Sequence, residues 1–245
     1  MSEKYKEIEE KFSEVAKLQV ELNNKLVPDW ETANLDWKSA IIAEAGEFIE
    51  STGYKWWKKT EPDWENLKVE AIDLLHFLIS MFLENNEFIR NQPTLDEKIE
   101  IFAKEMTQAF FKVDASVRKI IESGDPDFIE DPLFHKNEIK SYLRRFLIKV
   151  LKDDCLGALS LLVWVYYHLG MDEEGVYQAY GVKNLLNIYR SERGYKAGGY
   201  TKEVDGVEDN VAIANILKQL SISEKEKVFS EMDKLGYGQK DKQGL

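Results

Sequence analysis

The segment Ala71–Leu83, "AIDLLHFLISMFL", is apolar almost throughout, yet it holds Asp73 and His76. A helix that is apolar nearly all round belongs in a core. An ionised carboxylate is tolerated in a core only when it is paired or bound to a cation. Either this helix end is not buried, or a partner sits against Asp73, and the acidic residues around it favour the second reading. Glu70 and Asp73 stand at i, i+3 and share a side with Phe77, while Leu67, Ala71, Leu74, Leu75, Leu78 and Phe82 form the opposite face. The preceding helix repeats the device in "AEAGEFIES": Trp37, Ile41, Glu44 and Phe48 fall on one stripe, Glu47 lies at its edge and Glu50 outside it.

Two helices that each point a pair of acids inward bring the pairs together if they pack antiparallel, which the turn around 53–63 allows. Converging carboxylates repel one another unless cations bind. Hard divalent ions suit oxygen ligands, and Mg²⁺ is the usual one where phosphates complete the shell. E-x-x-E is also common on solvated helices; the place of Glu44 on the apolar stripe is what sets this one apart. A di-iron carboxylate bundle is the rival metal centre, but it wants Glu-x-x-His on two helices. Here Asp73-x-x-His76 offers one such unit at best, and neither His135 nor His168 follows a carboxylate at that spacing. A helical interaction module with its inward acids paired to lysines is the non-enzymatic alternative.

The rest of the chain is consistent with an all-α protein of one domain. Helical spacing predicts helices near 3–26, 35–52, 64–89, 95–122, 136–152, 154–169, 173–192 and 208–219, and strand alternation is scarce. Asp172 in "GMDEEGV" reads as an N-cap. The segment 91–150 carries no identifiable chemistry and fits a helical insertion, and 223–245 reads as a charged, partly mobile tail. A net charge of −12 argues against a binder of nucleic-acid polymers. The single cysteine, Cys155, excludes an intrachain disulfide framework. The N-terminal "MSEKYKEIEEKFSEV" has no signal-peptide pattern, and the apolar runs are too short and interrupted for a membrane span. These features predict a soluble protein of a reducing, cytoplasmic compartment.

Three further stretches carry polar or aromatic groups suited to a ligand. In "AYGVKNLLNIYRSERGYKAGGYTKEVDGVEDN", Tyr180, Lys183, Asn187 and Arg190 share one helical face, and a glycine-rich turn with Tyr195, Lys196, Tyr200 and Lys202 follows. Cations, an amide and flexible backbone suit a polyphosphate; a solvated basic helix end is the plainer reading of that stretch alone. "YKWWKK" places Trp56 and Trp57 after the first acidic helix, able to stack on a base or to staple the turn to the core. "LQVELNN" places Gln19 and Asn23 at i, i+4, where side-chain amides suit a base edge.

Together "LQVELNN", "EAGEFIES" running into "YKWWKK", "VEAIDLLHF" and "KNLLNIYRSERGYKAGGYTKEVDGVEDN" resemble, in the same order, the dimeric all-α deoxyuridine triphosphatases of the all-α nucleoside-triphosphate pyrophosphatase superfamily. The resemblance covers about a third of the chain. It implies a helical bundle that hydrolyses dUTP to dUMP and pyrophosphate, and in many members dUDP, with Mg²⁺. It implies a homodimer in which one subunit helps to complete the other's site. Residue by residue, it implies that Glu44, Glu47, Glu70 and Asp73 hold Mg²⁺ and that Glu47 activates the attacking water. It implies that Gln19, Asn23, Trp57 and His76 line the base pocket. Lys183, Asn187, Arg190, Tyr195 and Lys196 are implied to hold phosphates. The chain departs from the pattern at Glu50, where some relatives carry aspartate, and at "KEVDG", where a tryptophan is common before the glycine. Related enzymes also take dCTP, so a dCTP or mixed specificity is the sister reading.

Overall fold

The computed structural model describes residues 2–84, 93–123, 132–195 and 198–238. Nine α-helices account for nearly all of the regular structure among them: α1 (Glu3–Leu26), α2 (Trp37–Ser51), α3 (Trp64–Glu84), α4 (Leu95–Ser123), α5 (Pro132–Leu151), α6 (Cys155–His168), α7 (Glu173–Glu192), α8 (Asp209–Ile216) and α9 (Lys225–Lys234). A two-stranded hairpin, β1 (Glu203–Val204) with β2 (Val207–Glu208), lies between α7 and α8. The protein is all-α, as the sequence predicts. Residues 85–89 of the helix expected over 64–89 lie outside the described residues.

Helix starts follow from side chains that accept orphan backbone N–H groups. Ser2, Asp36, Asp154 and Asp172 accept from Tyr5, Ser39, Gly157 and Gly175 respectively. The hairpin turn is Asp205–Gly206, both with positive φ, at 51° and 78°. That pair of dihedrals matches the right-handed twist of adjoining strands, which explains the Asp-Gly sequence.

Helices α2 and α3 pack antiparallel. Three contacts along their length fix this: Asn66 donates to Ser51 at one end, Trp37 meets Phe77 at 6.3 Å in the other half, and the Trp37 indole donates to Glu84 at the far end. α3 is buried on nearly every side, against α1, α2, α4, α6 and α7. Tyr166 of α6 donates to the Ala71 carbonyl at 3.0 Å and fixes the height of α6 against α3. α4 and α5 contribute Phe102, Met106, Leu143 and Phe146 to this main core.

A second, smaller core joins Leu185, Leu186, Ile188 and Tyr189 of α7 to Ala212, Ile213, Ile222, Val228, Phe229 and Met232. Within the expected tail, Lys225–Lys234 is a helix with an apolar face on α7, and residues 239–245 lie outside the described residues. Gly181 of α7 makes room for this packing: a Cβ there would stand 2.0 Å from Ile222 Cδ1. No single described helix is long and apolar enough to cross a membrane.

Candidate active site

The antiparallel pairing of α2 and α3 sets the acidic residues face to face. Oxygens of Glu44, Glu47 and Glu70 lie within 4.8 Å of one another. Glu70 is buried, Glu44 half-buried and Glu47 exposed. Asn66 donates to Glu70 at 3.2 Å and so fixes one of its oxygens. Burial, with Asp73, Glu47 and Glu70 adding repulsion, pushes the Glu44 carboxyl up to about 7. Burial and the charges of Asp73 and Glu47 likewise raise Glu70. Upward shifts of this origin mark carboxylates gathered without enough positive charge. Close oxygen donors, negative and poorly neutralised, fit a hard divalent cation.

Asp73 answers the demand of its apolar helix in another way. Its Oδ2 accepts from Lys183 Nζ of α7 at 2.6 Å, with the two side chains 14% and 23% exposed. Asp73 and Glu44 open onto a cavity of about 450 Å³, which Lys183, Asn187, Arg190 and Tyr195 line from α7 and the turn after it. This size lies within the range of small-molecule sites. Arg190 is anchored from behind. Its Nε and Nη2 both donate at 2.8 Å to Asp209, which is fully buried and also accepts from Tyr200 at 2.8 Å. The Tyr195 ring lies under the guanidinium at 5.4 Å. Lys196, the remaining expected phosphate ligand, lies outside the described residues.

The third wall is a buried amide network. Gln19 donates to Asn23 at 2.8 Å and to Ser80 at 2.9 Å, and its carbonyl oxygen accepts from Tyr180 at 2.5 Å. Asn23 donates to Ser80 at 3.0 Å. His76 stacks on Tyr180 at 4.2 Å, and its Nδ1 lies 2.9 Å from the Ile72 carbonyl, to which it donates. Burial holds the His76 ring down to about 4, so it is neutral at pH 7. Its buried Nε2 is then an acceptor with no hydrogen-bond partner among the described residues. Gln19, Asn23 and His76 all line the cavity.

The structure thus brings Gln19, Asn23, Glu44, Asp73, His76, Lys183, Asn187, Arg190 and Tyr195 around one cavity, with Glu47 and Glu70 joined to it through Glu44. Trp57 is not among them. It is 56% exposed, edge-on to Tyr54 and Trp56, because α2 ends at Ser51 and the turn packs its rings on one another. The aromatic walls of the cavity are Trp30, Trp37, Phe77 and Tyr195. Glu50 pairs with Lys55, on the outer face expected of it. Spacing puts Tyr180 on the helical face of Lys183, Asn187 and Arg190, but it does not point to Ser80 or Asp209. Ser80 is a polar residue within the apolar run, at i+4 from His76, and is a readable signal in retrospect. Asp209 gives no such signal, because its partner comes from another helix.

A family model described as dUTPase matches residues 11–195, which include every one of these acidic, amide and cationic cavity residues. No curated protein matches the chain. The match spans well over half of the sequence and agrees with the helical architecture. The chain belongs to the all-α dUTPase family and is a nucleoside triphosphate pyrophosphohydrolase, a dUTP diphosphatase.

Proposed function

We propose that the enzyme hydrolyses dUTP to dUMP and pyrophosphate, and dUDP to dUMP and phosphate, with Mg²⁺ held by Glu44, Glu47, Glu70 and Asp73. The carrying observation is the meeting of a glutamate cluster, within 4.8 Å, with a cationic helix face over one cavity. Bound there, a divalent cation would neutralise phosphate charge and lower the pKa of a bound water. Glu47, in this reading, accepts a proton from the water that attacks the α-phosphorus, and its being the cluster's exposed member supports that role. The bond from that phosphorus to the bridging oxygen breaks, and the β-phosphate side leaves. Arg190, held by Asp209, presents the other edge of its guanidinium to the phosphates, beside Asn187 and Tyr195.

The base lies at the amide end. Gln19 spends its donors on Asn23 and Ser80, so its orientation is set before any ligand arrives. His76 Nε2 accepts an N–H from the base, since a buried acceptor left unpaired is costly. Trp37 and Phe77 form the apolar wall against the ring. The homodimer is proposed on family membership. Pyrophosphate and phosphate release from dUTP, dUDP, dCTP, dTTP and UTP tests the reading. Preferred dUTP cleavage, with dTTP and UTP spared, is the expected result. Preferred dCTP cleavage would keep the acidic cluster and overturn the base contacts.

A further inference from the structure

We propose that Lys183 is the resident counter-cation of Asp73 and exchanges with the divalent cation, leaving the carboxylate when the ion binds and turning to the polyphosphate. The inference rests on the metal reading above. It follows from the unequal treatment of the acids and of the cations in the cavity.

Glu44, Glu47 and Glu70 form a cluster that does not include Asp73. Asp73 is the acid on the α7 side, and Lys183 Nζ contacts it at 2.6 Å. While the ammonium group holds Oδ2, a divalent ion at Asp73 would be left with Oδ1 alone and would stand beside a like charge, so full use of the carboxylate requires the lysine to leave. Among the described residues Lys183 is the cation that acts on both Glu44 and Glu70, against the repulsion of Asp73 and Glu47, so entry of an ion remains favourable once that lysine moves.

The two cations of α7 differ in their freedom to move. Arg190 is clamped by two bonds to a fully buried Asp209, itself held by Tyr200. Lys183 holds Asp73 by one bond, on a flexible stem, and lines the same cavity as Asn187 and Arg190. One turn of its side chain away from Asp73 keeps the ammonium within the cavity, where a phosphate would receive it. Each ligand then favours the other: the phosphate draws Lys183 off Asp73, and the ion releases Lys183 for the phosphate. Such coupling is reciprocal by thermodynamic necessity.

The test is calorimetric titration of Mg²⁺ alone, without nucleotide, into the wild-type chain and K183M at one ionic strength. K183M is expected to bind Mg²⁺ at least about tenfold more tightly, because a unit charge in contact near a surface is worth more than that factor. The second measurement uses the wild-type chain, with ¹³Cε-labelled lysine and the Lys183 signal assigned by its absence in K183M. Mg²⁺ is expected to move that signal to a position typical of a solvated lysine. Equal or weaker Mg²⁺ affinity in K183M overturns the exchange. A tighter K183M with a stationary wild-type lysine signal also overturns it, since a field effect without displacement gives that pattern. Absence of Mg²⁺ binding in both proteins overturns the metal reading itself, and the exchange with it.

Discussion

Glu44 shows that the site is arranged against the stability of the chain that carries it. Its carboxyl is pushed up to about 7 by burial and by three neighbouring acids. Replacing it with the neutral amide removes that repulsion while keeping the shape. E44Q is therefore expected to raise Tm of the cation-free protein by about 2–4 °C, the shift that roughly 1 kcal/mol gives in a domain of this size. Turnover should fall at least about a hundredfold, more than outer-shell partners of a metal cost. A lower Tm in thermal melts would contradict the electrostatic account. His76 makes a pH prediction of opposite sign. Its ring is held down to about 4 when folded, against about 6.5 unfolded, so the unfolded chain takes up the proton first. Stability from this residue is complete above about 6.5 and is lost as pH falls towards 4, by at most roughly 3 kcal/mol. The ring proton shifts of His76 should stay flat from about pH 8 to pH 5; a midpoint near the unperturbed value would contradict burial as the controlling term. At this scale the acids were legible in the sequence, because Glu44, Glu70 and Asp73 sit on or beside apolar helical stripes. The Lys183–Asp73 and Arg190–Asp209 pairs were not, because contacts between different helices leave no trace in spacing. Trp57 stands outside the cavity of this chain, and the sequence does not reveal that: a pair of tryptophans is equally compatible with a cavity and with an exposed turn.

Among the elements, α7 joins the two cores. Its residues face the main core through Val176 and Tyr180 and the smaller core through Leu185, Leu186, Ile188 and Tyr189. The Arg190–Asp209 pair fastens α8 to it at the edge of the cavity. D209A removes a fully buried acceptor and leaves Arg190 half-enclosed without its partner. A loss of about 3 kcal/mol in urea unfolding is expected, at the low end for a broken buried pair, together with a raised KM for dUTP. Unchanged stability and KM would detach Arg190 from phosphate positioning. The long helices were legible from periodicity and caps; Asp172 is the cap its sequence context predicts. Helix α9 escaped because its stretch is rich in charge, and its apolar residues Val228, Phe229 and Met232 make sense only against α7. Asp205–Gly206 is a turn dipeptide by sequence and a turn by its dihedrals, but a turn signal alone does not reveal that two-residue strands flank it.

For the whole molecule, the helices assemble a cavity with three chemically distinct walls: acidic from α2 and α3, cationic from α7, and amide-rich from α1 with His76 of α3. This division is what a nucleoside triphosphate requires, with its metal-binding phosphates at one end and a hydrogen-bonding base at the other. The central claim is that the acidic wall holds the ion at which the α–β bond is cleaved. The most direct measurement is ³¹P NMR of dUTP incubated with the purified protein in ¹⁸O-labelled water, with Mg²⁺ and with EDTA. The account predicts dUMP carrying the ¹⁸O label and unlabelled pyrophosphate when Mg²⁺ is present, and intact dUTP under EDTA. Cleavage to dUDP and phosphate, label in the pyrophosphate, or turnover that persists under EDTA would contradict it.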